Sequence, residues 1–392
     1  FNPAKKPILE LTSVYIQIAY CGKLMKFFVA ATGQNVGKTT TCLGLLAGLK
    51  KRHSTVGYLK PVGQEYVETE TGAHVDKDVL LFRSHFNLDD AYEDMSPVLF
   101  PRGFTRDYLD GKVKTNELIQ KIQRAYASLS SRYPTVVIEG TGHMGVGSIV
   151  NLNNAQVAAL LKVPMVLIAS GGLGSSYDEL ELNRTQCEKY GVPIAGVILN
   201  RVLDDKRAMI QEYMGKALSR WNAPLLGCIP YVPFLSTPTM QDFEQLFQAK
   251  LLSGGLFRWR HFHDIRLVAT SVEMYNIMPK QLIITPSGRE DIILATLTRY
   301  WDLKISHPDD DLETGMILTG REPPKDSIIE QIRKAGIPMI YAPVSSFIAL
   351  KMINSHTTKI RKEDNAKIQQ AISTVESHID FDLLEKSIAS SL

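Results

Sequence analysis

The stretch Phe27-Phe28-Val29-Ala30-Ala31-Thr32-Gly33-Gln34-Asn35-Val36-Gly37-Lys38-Thr39-Thr40 decides the fold. Its opening apolar run has the pattern of a buried strand, and 40–51 reads as a helix. Between them the order Gly33-x-x-x-Gly37-Lys38-Thr39 is that of a phosphate loop. Glycines let successive backbone N–H groups turn inward around phosphate oxygens, and the helix N-terminus adds partial positive charge. The segment from Gly33 through Gln34, Asn35, Val36, Gly37, Lys38 and Thr39 to Thr40 is thus the expected cradle for ATP. Lys38 would reach the β- and γ-phosphates, and the Thr39 hydroxyl would ligate Mg²⁺. The usual G-x-x-x-x-G-K-T spacing would put a glycine at Thr32, so the first glycine is offset by one residue. The alternative is a tight strand-to-helix turn that binds nothing.

Working outward, short apolar runs alternate with amphipathic stretches, which points to βαβ units and a mainly parallel sheet flanked by helices. Strands are expected over 26–31, 55–59, 135–139, 164–169, 194–199 and 225–229. Helices are expected over 40–51, 115–131, 155–161, 176–190 and 205–220. Ser253-Gly254-Gly255 interrupts the series after several prolines, and the domain boundary is expected near 250–260. A second, smaller α/β series follows, with strands over 265–269, 281–285, 315–319 and 338–342. Residues 362–387 then show helical spacing at Ile368, Ala371, Ile372, Val375 and Ile379.

The 392 residues include 44% hydrophobic and 22% charged side chains, enough for two cores, and the net charge of +3 argues for neither nucleic acid nor an anionic membrane as partner. Cys21, Cys42, Cys187 and Cys228 form no C-x-x-C pair, which suits reduced thiols and a cytoplasmic protein. Residues 1–24 carry no defensible signal, and Met25 is the expected start of the fold.

Further motifs share the order of one family. Val36-Gly37-Lys38-Thr39, Lys60-Pro61-Val62, Asp78-Val79-Leu80-Leu81, Val137-Ile138-Glu139-Gly140-Thr141-Gly142, Ile198-Leu199-Asn200-Arg201-Val202 and Gly227-Cys228-Ile229-Pro230-Tyr231 resemble dethiobiotin synthetase. They also resemble the N-terminal region of long phosphate acetyltransferases. The resemblance covers about 25–245 and implies a P-loop NTPase-type fold. It implies Asn200 at the adenine edge with Pro230 nearby, Mg²⁺ held by Thr39, Asp78 and Glu139, and Lys38 and Lys60 as the catalytic cations. Mg²⁺ favours such hard oxygen donors beside phosphate and water. Each residue has a plainer reading: Glu139 as a strand-end cap, Asp76 in place of Asp78, Lys60 as a surface lysine, Asn200 as a turn residue.

His143-Met144-Gly145-Val146-Gly147-Ser148 departs from the synthetase pattern, so the substrate pocket is expected to differ. His143 reads as a loop residue more readily than as a polarising group. Cobyrinate diamide synthases share this ATP domain, but no cysteine beyond Cys228 is present to serve as a glutaminase nucleophile. Partition ATPases carry a second lysine where this chain has Gly33.

The later segments Ile283-Ile284-Thr285-Pro286-Ser287-Gly288-Arg289 and Gly315-Met316-Ile317-Leu318-Thr319-Gly320 resemble the DRTGG domain over about 262–388. That resemblance implies a sensing or dimerising role, with a homodimer expected. With no acetyltransferase segment after it, acetyl transfer to phosphate is not expected of this sequence. Two functions are open: an ATP-dependent ligase that activates a carboxylate or carbamate of an unknown small-molecule substrate, and a nucleotide-sensing regulator.

Overall fold

The computed structural model describes residues 24–70 and 72–392. The expectation for 1–24 therefore falls, Leu24 apart, outside the described residues. The described residues form two compact units, one of residues 24–231 with 360–392 and the other of 232–359.

In the first unit, six parallel strands make one sheet: β1 (Met25–Ala31), β2 (Val56–Leu59), β3 (Thr135–Glu139), β4 (Met165–Ser170), β5 (Ile194–Val202) and β6 (Leu225–Pro230). Their order is β6-β5-β4-β1-β3-β2. β1, β2 and β3 are almost entirely buried, as their unbroken apolar runs require when helices cover both faces. The helices are α1 (Lys38–Arg52), α2 (Lys77–Phe86), α3 (Thr115–Arg132), α4 (Asn154–Leu161), α5 (Gly174–Lys189) and α6 (Arg207–Leu218). The chain runs from β1 to β2 on one side of the sheet and reaches β4 on the other. β1 thus stands at the point where strand order reverses, and the crevice beyond its carboxyl end is where such sheets bind ligands.

The second unit holds a five-stranded sheet of β7 (Leu251–Ser253), β8 (Asp264–Leu267), β9 (Gln281–Pro286), β10 (Gly315–Thr319) and β11 (Met339–Ala342), in the order β7-β11-β10-β9-β8. Only the β7–β11 pairing is antiparallel. Helices α7 (Met240–Phe247), α8 (Glu290–Ser306), α9 (Asp326–Ala335) and α10 (Ser346–Ser355) accompany it.

The helical pattern over 362–387 resolves into α11 (Asn365–Glu376) and α12 (Phe381–Ser391). Expected with the second domain, these helices instead pack within the first unit. The reason lies on α1. A Cβ on Gly44 would stand 2.2 Å from Val375 Cβ, and one on Gly48 would stand 2.1 Å from the Phe381 ring, so these glycines open a trough for the returning helices. Lys51 pairs with Glu376 at 2.7 Å, and Arg52 Nε donates to Glu385 at 2.7 Å. Between the two helices Asp380 N donates to Leu226 O at 2.9 Å, capping the β6 edge. Gly44→Ala is expected to destabilise the unit by about 1–3 kcal/mol through overpacking. Alanine's better helix propensity, about 1 kcal/mol, acts in the opposite direction. Calorimetric melting showing a fall of several degrees supports the packing, and an unchanged or raised melting temperature contradicts it.

Candidate functional site

The loop after β1 runs from Thr32 to Gly37, and α1 begins at Lys38. Gly37 holds φ +103°, a conformation that disfavours any residue with a Cβ, and Asn35 sits left-handed at φ 60°. Gly37 is the N-cap of α1 with no side-chain cap, and the first turn holds no acidic residue. The amides of that first turn have no partners within the helix. The local sequence thus leaves a helix N-terminus to an anion.

Lys38 is buried and its ammonium donates to the Gly142 carbonyl, so it bends back across the loop toward the end of β3. Burial pulls its pKa down to about 8, against the attraction of Glu139. Gln34 and Asn35 form the exposed tip of the loop, Val36 is buried, and Gly33, Thr39 and Thr40 are half-buried.

Glu139 ends β3 and is in register with Val29 of β1, which brings it to the loop. It is fully buried, and both its oxygens are engaged. Oε1 accepts from the Thr39 hydroxyl at 3.0 Å and from Lys60 Nζ at 2.9 Å. Oε2 accepts from the Tyr58 hydroxyl at 2.9 Å. Lys60, just past β2, is 4% exposed and also donates to Asp78 Oδ2. Burial works to lower the Lys60 pKa, but Asp78 and Glu139 outweigh it and hold the ammonium charged well above the usual lysine range. A surface role for Lys60 does not fit this burial.

The sequence left Asp76 and Asp78 in competition, and the structure gives them different work. Asp76 caps α2, accepting from Asp78 N at 2.9 Å. Burial pushes its carboxyl up to about 7 in spite of Lys60. Asp78 faces Lys60.

Thr39, Asp78 and Glu139 offer a hydroxyl and two carboxylates, hard oxygens of the type Mg²⁺ takes, and the two carboxylates already converge on one cationic atom. Among the described residues no three His, Cys, Asp or Glu side chains form a closed metal cage. An open donor set of this kind fits Mg²⁺ that completes its shell with phosphate and water.

Asn200, on β5 in register with Ser170 of β4, is buried against the loop rather than standing apart as a turn residue. Its amide donates to Val36 O at 2.7 Å and its Oδ1 accepts from Arg201 N at 2.9 Å. A Cβ on Gly37 would come within 2.1 Å of Nδ2. Pro230 ends β6 beside Val202 and is half-buried. His143 is exposed, accepting from Gly145 N at 3.2 Å.

Sequence reasoning missed three contributors. Tyr58 supports Glu139, Asn154 braces the loop after β3 by hydrogen bonds to Thr141 and His143, and Thr32 donates to Glu179 at 2.8 Å. A tyrosine inside a buried strand was the available signal, since its hydroxyl requires a partner.

A family model described as an AAA domain matches residues 25–239, more than half of the chain. The chain belongs to that family. A DRTGG domain model matches residues 244–356. The phosphate acetyltransferase of Pseudomonas putida is 28% identical over 381 residues, covering 91% of this chain and 51% of its own length. That of Nitrosomonas europaea is 26% identical over 379 residues, covering 92% and 51%. The chain thus spans about half the length of these curated relatives. The ATP-dependent dethiobiotin synthetase of Xanthomonas oryzae is 27% identical over 207 residues, covering 53% of this chain and 91% of its own. The first unit is therefore dethiobiotin synthetase-like, followed by a DRTGG domain as in the front end of phosphate acetyltransferase. Among solved structures, the MinD cell division protein of Aquifex aeolicus aligns with a TM-score of 0.35 at 13% identity, covering 54% of this chain and 84% of that one. No helix among the described residues is long and apolar enough to cross a membrane.

The burial of Cys42, Cys187 and Cys228 bears on reactivity. Burial raises all three thiols, Cys187 to about 12 and Cys228 to about 11. Thiolate is the reactive form, so these three should resist iodoacetamide at pH 8 until the protein is denatured. Rapid native alkylation of any of them, read by peptide mass spectrometry, would contradict the packing.

Proposed function

We propose that the first unit binds Mg-ATP at 33–40 and uses it to activate a carboxylate or carbamate oxygen for attack by an amine. The observation that carries this reading is the convergence of Thr39, Lys60 and Tyr58 on buried Glu139, directly beside the loop that Lys38 crosses. Phosphoryl transfer asks chiefly for positioning and charge neutralisation, and this arrangement offers both. Lys38 and the helix amides would hold the β- and γ-phosphates. Thr39, Asp78 and Glu139 would hold Mg²⁺, which when bound supplies positive charge against the triphosphate. Lys60 would neutralise charge growing on the accepting oxygen.

A second reading is a nucleotide sensor whose bound state is read by a partner. The departure at 143–148 favours it, as does the match to phosphate acetyltransferases over nine-tenths of the chain. ADP release measured with bicarbonate and a panel of diamines separates the two. Turnover that depends on one amine, and is lost in Lys60→Ala while ATP still binds, supports activation. Tight ATP binding with no turnover on any of them supports the sensor.

The proposal also sets a pH dependence. Contact with a triphosphate raises the pKa of Lys38 from about 8. Below pH 8 the free protein already carries the proton, so affinity is constant. Above it the proton must be taken up on binding, and affinity falls by up to about tenfold per pH unit. Calorimetric affinities that stay flat between pH 7 and 9.5 would remove Lys38 from the binding charge.

A further inference from the structure

The Lys60 ammonium and a divalent cation need the same oxygens. Lys60 Nζ stands 2.9 Å from Glu139 Oε1 and donates as well to Asp78 Oδ2. Glu139 Oε1 takes the Thr39 hydroxyl too, and Oε2 takes Tyr58. Thr39, Asp78 and Glu139 are the residues assigned above to Mg²⁺, and Lys60 touches both carboxylates of that set. Mg²⁺ contacts its oxygens at about 2.0–2.1 Å in a strict octahedron, and an ammonium fixed on the same carboxylates intrudes on that shell. Two cations side by side in a buried pocket also repel, because little water is present to screen them.

Resting on the Mg-ATP reading, we propose that Lys60 is a built-in competitor for the divalent cation, so that metal entry and release of the Lys60 ammonium are one exchange. Buried Glu139 and half-buried Asp78 keep a positive partner throughout, and neither is left uncompensated. Lys60 becomes free to meet an anionic acceptor only once the divalent cation has arrived. The exchange makes the catalytic lysine conditional on metal, which orders the ligands: metal with nucleotide first, acceptor second. It also inverts the ordinary expectation for an active-site lysine, since removing Lys60 should improve metal binding.

The test uses the full chain and Mn²⁺ without nucleotide, with free Mn²⁺ read by electron paramagnetic resonance. Lys60→Met keeps most of the apolar stem and removes the charge. It is expected to tighten Mn²⁺ at least tenfold, and Asp78→Asn added to it should abolish the gain. Affinity equal to or weaker than that of the unaltered chain overturns the proposal, as does a gain that persists without Asp78. If Lys60→Met does not fold, nuclear magnetic resonance of ¹⁵N-labelled lysine ammonium groups in the unaltered chain decides. The Lys60 signal, assigned with Lys60→Arg, should shift on addition of Mg²⁺ with ADP. A signal that stays in place while ADP binds overturns the exchange. Failure of ATP binding in calorimetry would sink the proposed function, but the Mn²⁺ titration uses no nucleotide and reads the exchange separately.

Discussion

Lys38→Ala is expected to weaken ATP binding by about 100-fold or more. The side chain is buried, crosses the loop and donates to Gly142 O, so its ammonium is already ordered at the mouth of the cradle. Hydrogen bonds to charged groups contribute about 1.5–3 kcal/mol each. A lysine that meets both β- and γ-phosphates makes two, and about 3 kcal/mol corresponds to roughly 100-fold in affinity. Folding should suffer little, because the variant loses a bond from Lys38 to the Gly142 carbonyl rather than a charged partner. Burial of an ammonium is itself costly, so its removal offsets the lost bond in the alanine variant. Calorimetry of the variant with Mg-ATP checks the loss, and an affinity within fivefold of the unaltered chain would refute it.

Glu139→Ala should instead act on stability. Three donors, Thr39, Tyr58 and Lys60, lose their acceptor in a fully buried place. Removing one partner of a buried charge cluster costs about 3–5 kcal/mol. Asp78 still holds Lys60, so the lower end of that range is expected. The partnership has its own signature: Lys60→Met combined with Glu139→Ala should cost less than the sum of the two, since each removes the other's partner. Urea unfolding of the single and double variants measures this. Strict additivity would mean that the Lys60–Glu139 contact at 2.9 Å contributes nothing.

Much of this site was legible in the sequence because parallel sheets write it plainly. Continuous apolar runs fixed β1 and β3 to within a residue, and the residues just beyond such strands fall at the ligand edge. Glu139 follows from that rule, whereas Lys60 came from the resemblance of Lys60-Pro61-Val62. The choice between Asp76 and Asp78 was not legible. Either could begin α2, and only the cap geometry turns Asp76 back to Asp78 N and leaves Asp78 to Lys60. The resemblance put Asn200 at adenine, while the structure shows its amide holding Val36 O, a contact across 164 residues that no local pattern encodes. The destination of α11 was hidden for the same reason. Its apolar stripe announced burial but not the partner, and the partner is marked only by Gly44 and Gly48 inside a helix. Glycines in a helix interior are unfavourable by about 1 kcal/mol each, which is the signal that a close neighbour lies there.

Every role proposed for the first unit requires that the amides of residues 33–40, with Lys38, hold a triphosphate. Isothermal titration of the full chain with ATP and Mg²⁺, beside Gly37→Val, tests it most directly. The unaltered chain should bind one ATP saturably. Gly37→Val should bind none, because its side chain would meet Asn200 at a φ that valine avoids. Equal binding by both, or no binding of any purine triphosphate by the unaltered chain, would contradict it.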